Sequence, residues 1–143
     1  MIFYFAIQTV SVASQIALEE AGADYELRRI DFKTTEQRSE EYLQINPKAR
    51  VPALATDEGI ITETPAILTY IAQAYPAAEL APLNDPFGFA KLQEFNNYLC
   101  STVHVNHAHK MRGSRWVEED DKDSQQAMTA KVPQTMTDSF NLI

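Results

Sequence analysis

The chain has 143 residues, 45% of them hydrophobic and 22% charged. That is ordinary globular usage, and it excludes disorder over most of the length as well as collagen-like or low-complexity fibres. Twelve Lys and Arg against twenty Asp and Glu leave a net charge of −8, which opposes non-specific binding to nucleic acid or to an acidic membrane.

The opening residues Ile2–Phe5 are continuously apolar, as in a strand buried on both faces. The stretch is too short for a targeting segment, lacks a basic region and runs into Gln8 and Thr9. Val12, Ala13, Ile16, Ala17 and Ala21 then recur near helical spacing, with Gly22 as a C-terminal stop. Tyr25–Ile30 alternates as a strand, with Tyr25 and Leu27 on one face. This β-α-β unit has a crossover long enough for a parallel pair. After a charged loop, Asp31–Glu41, a short helix is expected over Glu40–Ile45. It ends before Asn46-Pro47 because the residue preceding proline avoids the α region. Val51–Ala55 and Gly59–Thr62 flank the acidic turn Thr56-Asp57-Glu58 as a hairpin. Thr64, as N-cap, and Pro65, as first helical residue, open a helix to about Tyr75.

Residues 77–86 are Pro- and Ala-rich and read as a linker between an α/β domain, 1–76, and a helical domain, 87–143. Phe89, Leu92, Phe95, Leu99 and Val103 mark one long helix to about Met111. The acidic run Glu118–Asp121 reads as solvated. A last helix carries Met128, Val132, Met136 and Phe140, with Pro133 inside it as a site of kinking. The apolar stripe continues undiminished at Phe140, Leu142 and Ile143, so the natural protein is expected to continue beyond this chain. No apolar run approaches the roughly 20 residues that span a bilayer. The single cysteine, Cys100, allows no internal disulfide and no CxxC redox or zinc pattern. It reads as a small buried hydrophobe without a nucleophilic role. A soluble, cytoplasmic protein is the expectation.

The element order, together with Asn46-Pro47-Lys48-Ala49-Arg50-Val51-Pro52-Ala53-Leu54 and Glu63-Thr64-Pro65-Ala66-Ile67-Leu68-Thr69-Tyr70-Ile71, resembles the glutathione transferases, in particular the bacterial beta-type enzymes. The resemblance implies a thioredoxin-like first domain followed by the first helices of an all-α domain. It implies a transferase that adds the glutathione thiolate to hydrophobic electrophiles, as a homodimer, with glutathione as co-substrate and no resident metal.

Several residues carry that expectation. Proline cannot donate a ladder hydrogen bond, so Pro52 marks a strand start or an edge. An edge at Val51 leaves main-chain groups free to pair with an extended peptide. On the residues alone Pro52 is an ordinary trans proline; the resemblance implies a cis bond and pairing of Val51 with the cysteinyl unit of glutathione. A helix N-terminus favours a carboxylate, so Glu63 and Thr64 are either a plain helix start or, as the resemblance implies, the site of the γ-glutamyl head. In that site Thr64 helps hold the carboxylate and Glu63 takes the ammonium. Lys33 matches the lysine that serves the glycine carboxylate, with Lys48 and Arg50 as alternatives to it.

The beta-type catalytic cysteine falls on Val10, and the tyrosine of other classes falls near Phe5. Ser11 is left as the hydroxyl that stabilises the thiolate, with Thr9 second; as a bare residue Ser11 is a simple N-cap. In the long helix, Asn97 matches a residue that reaches glutathione from the neighbouring subunit. His104 matches a histidine near the cleft, while the lysine that follows it is Val105 here. His104 and His107 are three apart but lack a third metal ligand. Trp116 reads as a structural anchor or as lining for the electrophile pocket. The losses at Val10 and Val105 leave an alternative open, a glutathione-binding or scaffold protein of the same fold without turnover.

Overall fold

The computed structural model describes residues 1–143. The chain divides into two compact units, Met1–Phe89 and Ala90–Ile143. The segment 77–86 lies within the first unit, where Leu80 packs against the core.

The first unit holds β1 (Ile2–Phe5), α1 (Ser11–Glu20), β2 (Glu26–Arg29), α2 (Glu40–Ile45), β3 (Ala53–Thr56), β4 (Gly59–Thr62) and α3 (Thr64–Ala74). Its four strands form one sheet in the order β2-β1-β3-β4. β1 runs parallel to β2 and antiparallel to β3, and β3 runs antiparallel to β4. This is the thioredoxin-like arrangement that the resemblance implies.

Successive strand side chains point to opposite faces. Phe3 and Leu54, directly opposite each other, are fully buried and pack with Ala17 and Leu18 of α1 and with Ile67 and Ile71 of α3. Tyr4 faces the other way and meets Tyr42 of α2, with ring centroids 5.8 Å apart. The expectation that β1 is buried on both faces therefore holds only for Phe3; Ile2, Tyr4 and Phe5 are partly exposed. β2 is an edge strand paired on one side only. All four of its residues are exposed, including Leu27, and the charges of Glu26, Arg28 and Arg29 suit an edge that must not recruit another strand.

The second unit begins within α4 (Pro86–Tyr98), continues through a π-helical turn, Leu99–Val103, into α5 (His104–Ala108), and ends with α6 (Lys122–Phe140). The single long helix expected here is thus interrupted by a widened turn and stops at Ala108. Cys100, within that turn, is exposed rather than buried. Phe95 is exposed as well, and α4 contains no buried residue.

α6 runs through Pro133 without a break. Of its expected stripe, Val132 is buried and Phe140 is exposed; Ser139 is buried instead. Ser139 is held by a polar network: Tyr98 Oη donates to its carbonyl (3.0 Å), Asn106 Nδ2 to its Oγ (3.0 Å), and its Oγ to the Thr135 carbonyl (2.7 Å). Asp121 is not merely solvated. It N-caps α6 by accepting from the Ser124 amide (3.0 Å), and this bond holds its carboxyl below the ordinary range. His109 and Trp116 form an edge-to-face pair at 4.4 Å.

Two buried side-chain atoms in the first unit lack a hydrogen-bond partner, Ser14 Oγ and Gln37 Oε1. Ser14 is fully buried on the inner face of α1, and its Oγ has no hydrogen-bond partner. An unpaired buried hydroxyl costs about 1–3 kcal/mol, and alanine is the better helix former. Ser14→Ala is expected to raise the urea-unfolding free energy by about 1 kcal/mol; a lower value would show that the hydroxyl does find a partner.

Candidate functional site

The sheet registers bring the motifs together. Tyr4 lies opposite Ala53, and Ala53 opposite Thr62. The C-terminal ends of β1 and β4 therefore meet the N-terminal end of β3. β2 is parallel to β1, with Phe5 beside Arg29, so the loop after it leaves from the same end. The start of α1, the Lys33 loop, the Val51-Pro52 bond and the start of α3 all gather at one end of the sheet.

The Val51-Pro52 peptide is cis. β3 is an inner strand, not an edge strand, and it begins at Ala53, so Val51 lies beyond the last rung of the ladder. The Val51 N–H makes no backbone hydrogen bond. The preceding loop is held firmly. The Asn46 amide side chain donates to the Arg50 carbonyl (2.7 Å) and accepts from the Lys48 amide (3.2 Å). Tyr42 Oη donates to the same Arg50 carbonyl (2.7 Å). Asn46 and Tyr42 are 1% and 3% exposed. Burial, reinforced by neighbouring Tyr4, pushes the Tyr42 phenol well above its ordinary pKa, so it remains a donor. The sequence marks Asn46 only as a helix end and as the first residue of a motif, and it gives no sign of a role for Tyr42. Tyr42 lies eight positions from Arg50, and no local pattern announces that contact.

At the start of α3 the expected cap is displaced by one residue. Glu63 is the N-cap: its carbonyl accepts from the Ile67 amide (3.0 Å). That bond takes the N–H that a Thr64 cap would use, and Pro65 offers none. Thr64 is therefore the first helical residue, 8% exposed.

Glu63 has φ 73° and ψ 123°, a conformation that costs a non-glycine residue about 1–3 kcal/mol. Its carboxylate receives the Lys48 ammonium at 2.5 Å, and the same ammonium donates to Thr62 Oγ1 (2.7 Å). A primary ammonium thus occupies the place that the resemblance gives to the γ-glutamyl ammonium. Lys48 is committed to this bridge, whereas the Lys33 ammonium makes no ion pair.

At the start of α1, Val10 is the N-cap and Ser11 the first helical residue, so Ser11 is not the cap. Ser11 is 1% exposed. Thr9, half-buried, lies 2.8 Å from both Ser11 Oγ and the Ala6 carbonyl, and its Oγ1 accepts from the Ser11 amide (3.3 Å). One hydroxyl proton serves one acceptor at a time. When Thr9 donates to Ala6, Ser11 donates to Thr9. Of the two hydroxyls, Thr9 is the one open to a ligand.

Asn97 and His104 are exposed residues of α4 and α5, in the second unit. No group of three or more His, Cys, Asp or Glu is placed to hold a metal ion.

Glycine adopts positive φ without the penalty Glu63 bears. The Lys48 bridge that the substitution removes is exposed, and such pairs contribute about 0–1 kcal/mol. Glu63→Gly is therefore expected to stabilise the fold by about 0.5–1 kcal/mol in a urea titration. A clear loss of stability would show that the bridge outweighs the strain.

Residues 2–73 match the family described as glutathione S-transferase, N-terminal domain. Among curated proteins, glutathione S-transferase GstA of Escherichia coli O157:H7 is 38% identical over 97 residues, covering 66% of this chain and 48% of that protein. The chain thus spans about half the length of that relative. A solved glutathione transferase homologue from Sulfitobacter, with bound glutathione, is 48% identical with a TM-score of 0.92, over 98% of this chain and 66% of that one. A beta-class glutathione S-transferase from Sphingomonas chungbukensis is 29% identical with a TM-score of 0.73, over 92% and 65%. With half of its length matched by the family's N-terminal domain, the chain belongs to the glutathione S-transferase family.

Proposed function

We propose that this chain is the glutathione-binding portion of a glutathione transferase that adds the glutathione thiolate to hydrophobic electrophiles. The observation that carries the reading is the unpaired main chain at Val51, at the sheet end shared by the Glu63 carboxylate and the start of α1. An extended tripeptide adds to such a segment as a short strand. In this reading Val51, next to Pro52, pairs with the cysteinyl unit. The γ-glutamyl carboxylate meets the amide end of α3 at Thr64, and its ammonium meets Glu63, sharing or displacing Lys48. Lys33 takes the glycine carboxylate. The glutathione complexed with the Sulfitobacter homologue supports this choice of ligand.

The chemistry asks for a thiolate at neutral pH from a thiol of pKa roughly 8.5, a shift equivalent to about 2 kcal/mol. A hydrogen bond to a charged group supplies about 1.5–3 kcal/mol, and a helix N-terminus about 0.3–1 kcal/mol. The two suffice without a protein thiol at Val10. Thr9 donates to the sulfur while Ser11, buried behind it, donates to Thr9 Oγ1. The thiolate then attacks the electrophilic carbon, a C–S bond forms, and the leaving group departs with the electron pair of its bond. Positioning and thiolate stabilisation are the protein's contribution.

Asn97 and His104 enter through the resemblance, Asn97 as a contribution from the neighbouring subunit of a homodimer. No helix is long and apolar enough to cross a membrane, and with one cysteine the chain suits the reducing cytoplasm, where we place it.

Thr9→Val is expected to raise the pKa of bound glutathione by about one unit and to lower turnover at pH 7 about tenfold. Ser11→Ala should do the same more weakly. Both variants should keep S-methylglutathione affinity within about threefold. Turnover of a model aryl halide unchanged in Thr9→Val would remove the hydroxyl pair from the mechanism.

A second reading, a glutathione-binding protein without turnover, is favoured by the apolar Val10 and Val105. It predicts retention on immobilised glutathione with no aryl-halide conjugation, where the first reading predicts both.

A further inference from the structure

The Arg50 carbonyl is bound twice, by Tyr42 Oη and by Asn46 Nδ2, each at 2.7 Å. A carbonyl oxygen has two lone pairs, and two donors exhaust them. The Arg50 carbonyl and the Val51 N–H belong to one peptide group. Val51-Pro52 is the cis bond of the chain, so the Arg50–Val51 peptide is trans, and a trans peptide is planar with its C=O and N–H pointing in opposite directions. Fixing the oxygen therefore fixes the direction of the N–H one bond away. That N–H makes no backbone hydrogen bond of its own.

The two donors of the clamp are also buried. Tyr42 and Asn46 are nearly fully buried, whereas Arg50 is exposed and Val51 half-buried. Water cannot readily replace donors that sit beneath the loop. Each donor is in turn held by a contact of its own. The Tyr42 ring packs on Tyr4 of β1. The Asn46 side chain is oriented by the Lys48 amide, which leaves its Nδ2 for Arg50.

We infer that Tyr42 and Asn46 are positioning residues that aim the Val51 amide at its ligand, so that glutathione affinity depends on two side chains that never touch glutathione. The inference rests on the proposed binding of glutathione at Val51. A flexible 46–52 loop would have to be ordered by the ligand, at a cost in affinity; the clamp supplies that order beforehand.

The test is calorimetric titration with S-methylglutathione, which binds without reacting, on four proteins. Tyr42→Phe removes one donor and keeps the ring. Asn46→Ala removes the other. Ile71→Val loosens the core of the same unit away from the loop. Wild type should bind, and Tyr42→Phe and Asn46→Ala should each bind about three- to tenfold more weakly. Ile71→Val should stay within about twofold of wild type. Turnover at saturating glutathione should change less than affinity in Tyr42→Phe, because the clamp does not touch the sulfur. Wild-type-like affinity in Tyr42→Phe would overturn the inference alone. So would an equal loss in Ile71→Val, which would mark general loosening. A wild-type protein that binds no S-methylglutathione would overturn the glutathione reading and this inference with it.

Discussion

Tyr4, Ala53 and Thr62 lie side by side in the last shared rung of the sheet, and the chain beyond that rung must satisfy its backbone without strands. Each of the segments leaving it solves the problem differently. After β1, the Thr9 hydroxyl accepts from the Ser11 amide just ahead of α1. After β4, Glu63 takes a left-handed turn and caps α3 with its carbonyl. Before β3, Asn46 and Tyr42 hold the Arg50 carbonyl and leave the Val51 N–H without a backbone partner. The antiparallel register places these solutions next to one another, at the end of the sheet where we propose that the peptide binds.

The chemical character of that surface follows from the same arrangement. The starts of α1 and α3 both point to this end of the sheet, and helix starts favour negative charge. A chain of net charge −8 would otherwise repel an anionic ligand. The Glu63 carboxylate at the start of α3 already accepts an ammonium from Lys48. Two helix starts and one carboxylate beside an unpaired main-chain segment suit a zwitterionic peptide better than a simple anion.

Features governed by local rules were legible in the sequence. α2 spans Glu40–Ile45 because Pro47 restricts the residue before it, and the hairpin follows from its acidic turn. The Asn46–Leu54 and Glu63–Ile71 stretches carried the resemblance to the family that residues 2–73 match. What tertiary structure decides was not legible. The cap moved from Thr64 to Glu63 because the turn out of β4 claims the Ile67 amide for Glu63. Ser11 entered through its match to the serine after the beta-type cysteine, and its burial beneath Thr9 has no sequence signal. Cys100 lies exposed in the π-helical turn, and helical periodicity gives no sign of an extra residue in a turn. The clamp on Arg50 joins residues from two elements and has no sequence signature.

The account depends on where the tripeptide lies. The most direct measurement is a map of backbone amide shifts during titration of the isotopically labelled protein with glutathione. The account predicts that, within the first unit, the largest changes centre on Val51, on Glu63 and the first turn of α3, and on Thr9–Ser11. Changes confined instead to the face of the sheet that α2 covers, or no saturable change at Val51, would contradict it.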